Sequence, residues 1–228
     1  MNDELDKRIL AFLRSYSEKP TKTHPVIDRL FDVVDKSMDY TDGKNLMFDE
    51  VLRSADSLST RFEYCKGKNL LPRGYYHPSK IRTHIVDNEN TGQLSENVSK
   101  LTKNYLKYGF DEKDNLCAVY QYERGHLQSV EIIEYFAGIS YGIKMTPTLP
   151  MPEEVSAVGY DEKNRPAYYF VRSPGAFSGF PVEYEEYAYS PEGFIKEAYV
   201  VYGSYPDILP LQYYEFDRQM DIVSYKKI

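Results

Sequence analysis

The sequence predicts an α+β fold in which N-terminal helices pack on a large twisted antiparallel β-sheet arranged as a meander. Apolar residues recur at helical spacing in the first 58 residues, whereas hydrophobic positions alternate with a period of two from residue 105 onward. The chain of 228 residues also holds 23 Tyr and 11 Phe but no Trp, and aromatic residues favour strands. We therefore expect one continuous domain, with a helical and irregular region over 1–104 and a β-meander over 105–228.

Three short amphipathic helices are predicted in the N-terminal region. The apolar stripe of the first helix comprises Leu5, Ile9, Phe12 and Leu13. The second helix follows Thr23-His24-Pro25, where a candidate capping residue stands beside a proline suited to the first helical turn, and its stripe comprises Ile27, Leu30, Phe31 and Val34. The third follows the turn Asp42-Gly43 and has its stripe at Phe48, Val51, Leu52 and Ala55. Helices this short need a partner surface, which the sheet provides.

Residues 59–97 read as irregular chain, with short strands predicted around Phe62 and over Ile81–Val86. Residues 98–108 fit two interpretations. The spacing of Val98, Leu101 and Tyr105 suits a helix, whereas β-branched and aromatic side chains suit a strand.

A repeated unit follows, made of an aromatic residue, an Asp or Ser, a short polar turn and a hydrophobic strand. Its four turns begin at Phe110-Asp111, Tyr160-Asp161, Tyr189-Ser190 and Phe216-Asp217. The Asp or Ser oxygen can accept backbone N–H bonds in the turn, and the polar residues close a short hairpin loop. With a further turn at Glu123-Arg124-Gly125-His126, these units predict a meander of about eight to ten strands.

These units resemble the tyrosine–aspartate hairpin repeats, or YD repeats, of bacterial toxin-delivery proteins. They are also similar to the strand-turn-strand units of small bacterial immunity proteins encoded beside such toxins. The resemblance covers residues 105–228. The turn aromatics are spaced irregularly, by 50, 29 and 27 residues, whereas long YD shells keep a tighter period and more glycine. The resemblance therefore implies an immunity protein rather than a shell.

The charge layout points to a basic protein partner. The net charge is -7, and residues 105–228 hold 11 Lys and Arg against 19 Asp and Glu. Such a surface repels nucleic acid and anionic membranes and attracts a basic protein. No run of 18 apolar residues is present. The acidic N-terminus does not resemble a signal peptide, so we expect a cytoplasmic protein in which Cys65 and Cys117 are free buried thiols.

No motif for nucleotide binding, metal-dependent proteolysis or a nucleophile elbow occurs, so we predict no enzyme activity, no cofactor and no metal. Cys65, His77 and His84 do not have the spacing of zinc ligands. Two alternatives stay open. One is a structural or scaffold protein that docks partners on its sheet edge or helices. The other is a hydrolase without a recognisable motif, using acids such as Glu131 and Glu134, although these two face opposite sides of one strand.

The segment Arg61–His84 alternates cations with aromatic residues, a pattern that can bind single-stranded nucleic acid. We favour another interpretation, in which this loop lies against its own acidic sheet through Arg–carboxylate contacts.

The strongest candidate for a partner-binding surface is the strand Pro181–Ser190. Its predicted contact residues are Glu183, Tyr184, Glu185, Glu186, Tyr187 and Tyr189. The extra acid at Glu185–Glu186 suggests a β-bulge. Tyrosines supply rigid contact area with a polar tip, and carboxylates steer a basic partner. The alternative is a half-buried strand whose tyrosines pack the core. The predicted function is thus a non-catalytic protein-binding domain, a cytosolic immunity protein that neutralises a basic bacterial toxin.

Overall fold

The computed structural model describes residues 24–44, 46–86, 90–96, 104–173, 181–203 and 211–228. The predicted first helix and the predicted stripe residues Val98 and Leu101 lie outside these ranges. Within them, the chain forms two α-helices and one sheet of twelve strands.

The helices are α1, Pro25–Thr41, and α2, Phe48–Leu58. A 3₁₀ turn covers Gly74–Tyr76 and a π-helical turn covers Arg82–Val86. The strands are β1 Arg61–Lys66, β2 Gln93–Ser95, β3 Asn104–Phe110, β4 Leu116–Glu123, β5 His126–Phe136, β6 Ile139–Met145, β7 Glu154–Tyr160, β8 Pro166–Arg172, β9 Val182–Tyr189, β10 Ile195–Gly203, β11 Leu211–Phe216 and β12 Ile222–Lys227.

The sheet is a meander over most of its width. Strands β3 to β12 lie side by side in chain order, β1 pairs with β3, and β2 follows β1 at one edge. Every pairing is antiparallel. The predicted large antiparallel sheet is therefore confirmed, and with few helices beside it the fold is of the α+β or mostly-β class.

Two predicted helices agree with the structure in position. α1 begins at Pro25, and the Nδ1 atom of His24 accepts a hydrogen bond from the backbone N–H of Val26 at 3.4 Å. α1 ends before the turn at Gly43, which has a φ of 70°. The left-handed backbone there suits glycine.

The predicted strand near Phe62 is confirmed by β1, but the strand predicted over Ile81–Val86 is wrong. The chain turns helically there because local side chains supply its hydrogen bonds. The Oγ of Ser79 accepts from the N–H of Arg82 at 2.9 Å, and the Oγ1 of Thr83 donates to the Ser79 carbonyl at 2.8 Å. Such local bonds compete with strand pairing.

The predicted hairpin repeat is confirmed at its three aspartates. Oδ1 of Asp111 accepts hydrogen bonds from the N–H groups of Lys113 and Asn115, at 2.9 and 2.8 Å. Asp161 and Asp217 accept from residues two and four positions onward in the same way. The residue three positions after each turn residue has a positive φ in all four loops: Asp114, Asn164, Gly193 and Met220.

Ser190 closes its loop differently. Its backbone N–H and carbonyl make the same bonds as in the other copies, to Phe194 and Gly193. Its Oγ, however, has no hydrogen-bond partner among the described residues. The prediction that this hydroxyl accepts backbone bonds is therefore wrong, and within the described part of the chain the loop is closed by its backbone bonds alone.

Both faces of the sheet are covered. On one side, which we call the helical face, Leu30 of α1 packs in a cluster with Phe170 and Tyr184, and Ala55 of α2 packs in a cluster with Tyr120. Successive residues of a strand face opposite sides of the sheet, and both sides are covered here. Strand β4 therefore has four consecutive buried residues, at 117–120.

The opposite side, which we call the loop face, is covered by the non-strand chain at 67–86. Leu70 and Tyr76 pack in a cluster with Tyr108, and Ile81 packs in a cluster with Tyr187 and other residues of β9–β11. A short irregular segment brings backbone and polar groups onto the sheet, so buried hydrogen bonding is required on this face.

We predict that Asp111→Ala lowers the free energy of unfolding by about 1 kcal/mol, because two loop N–H groups lose their acceptor. Urea unfolding measures the effect. The matched control is Glu112→Ala, which removes the same charge from an exposed position in the same loop. Equal destabilisation by the two variants contradicts a role for the Asp111 side chain in the repeat.

Candidate functional site

Buried charged side chains are concentrated on the loop face. The strand register aligns Ser156, Val171, Glu183 and Tyr202 in one row across β7 to β10. Neighbouring rows on the same face carry further acids and cations. The loop face is thus the polar half of the molecule's interior.

Arg73 makes the central contact between the covering loop and the sheet. Its Nε donates to Oε2 of Glu131 at 2.9 Å, and its Nη2 donates to Oε1 at 2.6 Å and to Oγ of Ser156 at 2.8 Å. Burial alone would lower the pKa of Arg73, but the Glu131 carboxylate outweighs burial and raises it. Gly142 lies beneath the pair, and a Cβ there would collide with all three side chains.

A second ion pair flanks the first. The Nζ of Lys144 lies 3.0 Å from Oε2 of Glu153 and 3.5 Å from Oε1 of Glu154. Burial raises the pKa of Glu154, and the charge of Lys144 opposes this rise.

Glu185 on β9 is completely buried and is satisfied by four donors. Its carboxylate accepts hydrogen bonds from Oγ of Ser79 at 2.6 Å, from the N–H of Ile81 at 3.3 Å and from the hydroxyl of Tyr202 at 3.3 Å. The Tyr187 hydroxyl is the fourth donor. Glu185 therefore anchors the second half of the covering loop, as Glu131 anchors the first.

Glu183 is also buried on the loop face, but it is less well satisfied. Its Oε2 lies 3.4 Å from Nη1 of Arg82, and its Oε1 has no hydrogen-bond partner among the described residues. Burial, and next the neighbouring Glu185, raises the pKa of Glu183 from 4.5 to about 8. Near neutral pH the two carboxyl groups therefore hold one proton between them.

The structure agrees with the alternative interpretation of Pro181–Ser190, a largely buried strand whose tyrosines pack in the core. The side chains of β9 are packed between β8 and β10, with both faces covered, and Glu183, Tyr184, Glu185 and Tyr187 are only 9, 1, 0 and 7% exposed. Glu186 and Tyr189 are half-buried. A role of this strand in partner binding stays a prediction, and only the last two side chains keep accessible surface for it.

The predicted bulge at Glu185–Glu186 is also wrong. β9 pairs with β8 and β10 in continuous register there, and the extra residue is Lys196, which lies on β10 between Ile195 and Glu197. Glu186 lies on the other face from Glu183 and Glu185, which share the loop face, where burial and next the neighbouring Glu185 raise the pKa of Glu183.

Glu186 is the one of the three β9 glutamates whose side chain lies on the helical face. It accepts hydrogen bonds from Nε and Nη2 of Arg29 at 2.7 and 2.6 Å, and from the hydroxyl of Tyr184 at 2.9 Å. This carboxylate therefore tethers α1 to β9.

A pocket of about 400 Å³ opens on the loop face where β7, β8, β9 and β10 meet the covering loop. Its polar lining consists of Arg82, Glu154, Tyr169, Ser173, Glu183 and Tyr202. Apolar walls are supplied by Val171 and two prolines. Small-molecule sites have volumes in the range of about 300–1,000 Å³.

An acidic stripe lies on the outer side of α1. Asp28, Asp32, Asp35 and Asp39 recur at spacings of four, three and four, which place them on one face of a helix. Three of them are exposed and Asp35 is half-buried. Nζ of Lys36 lies 2.6 Å from Asp32.

The arginines of the segment Arg61–His84 bind the protein's own carboxylates. Arg61 contacts Glu63 and Asp114, Arg73 contacts Glu131, and Arg82 contacts Glu183. The favoured interpretation, a loop lying against its own acidic sheet, is confirmed for these contacts.

The structure does not bring Cys65, His77 and His84 together. Among the described residues, no group of three or more His, Cys, Asp or Glu could hold a metal ion. His77 is buried, which lowers its pKa to about 3, so the ring is neutral. In the same part of the chain, no helix is both long and apolar enough to cross a membrane.

Sequence reasoning missed both the stripe and the pocket. The whole region 1–104 is nearly neutral, with 17 basic and 16 acidic residues, and this balance hides the local excess on α1. A search for acids at helical spacing would have found the stripe. The pocket has no such signal, because Glu154 and Glu183 are 29 residues apart and meet only through the sheet register.

Comparison of the chain with models of known protein families and with curated proteins finds no match.

The raised pKa of Glu183 predicts how stability depends on pH. The folded state holds this proton more tightly than the unfolded state, so Glu183 causes stability to fall as pH rises from about 4.5 to about 8. Glu183→Gln removes this loss. Its free energy of unfolding relative to wild type should rise across that window by up to about 1.4 kcal/mol per pH unit.

Urea unfolding of both proteins between about pH 5 and about pH 9 measures this difference. Glu186→Gln is the matched control, because it neutralises a carboxylate of the same strand on the other face. A difference between Glu183→Gln and wild type that does not change with pH would show that Glu183 titrates normally.

Proposed function

We propose that this chain is a non-catalytic protein-binding domain, a cytosolic immunity protein that neutralises a basic bacterial toxin. The observation that carries the proposal is the exposed aspartate stripe of α1. It replaces the buried strand Pro181–Ser190 as the main docking surface.

The like charges of the stripe destabilise the helix that carries it. Like charges at i and i+4 destabilise a helix by about 0.2–0.5 kcal/mol per pair, and Asp28–Asp32 and Asp35–Asp39 are two such pairs. Within α1 only Arg29 and Lys36 oppose four aspartates. Asp28 in the first turn and the Asp32–Lys36 pair offset part of this repulsion. The acids still outnumber the cations of α1, which suits contact with a basic partner.

α2 extends the acidic surface. It carries Asp49, Glu50 and Asp56 against Arg53 alone, and Asp49 and Asp56 are exposed. Both helices lie on the same side of the sheet. Together they form a negative surface that would steer a basic protein toward this side and raise its association rate.

The pair of acids considered for a hydrolase is separated by the sheet. Glu131 binds Arg73 on the loop face, whereas Glu134 accepts a hydrogen bond from the hydroxyl of Tyr40 of α1 at 2.6 Å on the helical face. These two carboxylates therefore cannot act on one substrate, and binding remains the better supported function.

The test produces the toxin domain encoded beside this chain's gene in a bacterial cytoplasm, with and without this chain. Co-production should restore growth, and the two purified proteins should form a complex. Absence of a toxic neighbour, or of rescue, overturns the immunity function.

With that partner, we predict that the triple variant Asp28→Lys, Asp32→Lys, Asp39→Lys lowers the association rate constant by about tenfold or more at low salt. The effect should shrink as salt rises, because exposed charges are screened over ~10 Å at 0.1 M. Stopped-flow or surface-binding kinetics measure the rate.

The control makes the same charge change elsewhere, through Glu112→Lys, Glu162→Lys and Glu192→Lys in three exposed hairpin turns. The control should slow association much less. If both triple variants slow it equally, net charge rather than the α1 surface governs binding.

A further inference from the structure

We propose that the loop-face pocket is a binding site for an alkylguanidinium group, carried either by a free small molecule or by an arginine side chain. This site does not rest on the proposed function, because the pocket lies on the opposite side of the sheet from the α1 stripe.

The carboxylates of the pocket exceed its cations. Glu154 and Glu183 both line it, against Arg82 as the one lining cation among the described residues. Lys144, the nearest cation to Glu154, is shared with Glu153. The pocket therefore offers two carboxyl groups to an entering cation, Glu154 and, once its proton is released, Glu183.

Glu183 indicates more specifically that the ligand of the pocket is a hydrogen-bond donor. The residue is 9% exposed, lines the pocket and has an Oε1 atom without any donor among the described residues. A buried carboxylate oxygen without a donor is costly. A guanidinium has five N–H groups in a planar fork, which suits it to supply donors to more than one carboxylate at once.

The aromatic and apolar residues that line the pocket suit the plane of a guanidinium group and its alkyl stem. Tyr169 and Tyr202 place aromatic rings in the lining, and guanidinium groups bind favourably over aromatic faces. Val171 and the prolines Pro72 and Pro181 supply apolar surface for the alkyl stem. The same face already holds one guanidinium in this way, since Arg73 is bound by Glu131 and Ser156 close by.

Ligand binding should release a proton. Glu183 faces Glu185 on its own strand, Arg82 of the covering loop, and Glu154 of β7, with Tyr202 beside it on β10. Its raised pKa, about 8, means that it is largely protonated at neutral pH. Because a bound cation favours the ionised carboxylate, affinity should increase with pH up to about 8.

The experiment titrates the full chain with ethylguanidinium and follows backbone amide signals by NMR. The signals of Val171, Val182 and Gly203, which line the pocket, should shift saturably. Ethylurea is the neutral isosteric control and should bind about tenfold more weakly or worse. Equal effects of the two compounds, or shifts confined to α1, overturn the site.

Two variants test the residues. Glu154→Gln and Glu183→Gln should each weaken ethylguanidinium binding by about tenfold, whereas Glu186→Gln on the helical face should leave it unchanged. Glu183→Gln should also remove the increase of affinity between about pH 6 and about pH 8. Wild-type affinity that does not change over this range, or unchanged binding by both pocket variants, contradicts the assignment.

The source of the group is distinguished by a second ligand pair. A blocked Gly-Arg-Gly peptide and free L-arginine carry the same guanidinium. Tighter binding of the peptide assigns the pocket to an arginine side chain of a protein, and tighter binding of the free amino acid assigns it to a small molecule. Failure of both to bind overturns the site while leaving the α1 surface untouched.

Discussion

The sheet has two faces, and its central strands are buried on both, although the chain has few helices to cover them. The helical face is closed by apolar stripes of α1 and α2. The loop face is closed by irregular chain, which carries unpaired backbone and polar groups onto the sheet. Buried ion pairs and hydrogen bonds, with Arg73–Glu131 and Glu185 at their centres, satisfy these groups. The position of the covering loop, and hence of the pocket, depends on these contacts.

Arg73 and Glu185, which hold the covering loop on the sheet, place different requirements on the residues around them. Arg73 requires a position without a side chain, which Gly142 supplies on β6. Glu185 requires several donors from a short stretch of loop, and Ser79 and Ile81 provide two of them. Removing one partner of such a buried pair leaves an uncompensated charge, which is far more costly than the pair is stabilising. The loop face is therefore specific in its geometry rather than strong in its hydrophobic packing.

The candidate surfaces are divided between the two sides of one sheet. The α1 stripe is open, flat and acidic, as suits a macromolecular partner with a basic surface. The loop-face pocket is concave and combines carboxylates with tyrosine rings, as suits a single cationic group. Strand β9 lies between the two surfaces, because Glu186 contacts Arg29 on one side and Glu183 contacts Arg82 on the other.

The sequence by itself determined the features that depend on local spacing: the positions of α1 and α2, the aspartate turns of the repeat and the period-two strands of the meander. Tertiary structure decided which side chains are exposed. The tyrosines and glutamates of Pro181–Ser190 have the composition of a contact surface, yet most of them are core residues because β9 lies between neighbours with both faces covered. The short strand predicted at Ile81–Val86 became a helical turn held by Ser79 and by contacts with β9. The burial of Pro181–Ser190 depends on strands and loops that are distant in sequence, which no local pattern encodes. The turn at Ile81–Val86 depends both on local bonds from Ser79 and on the distant Glu185.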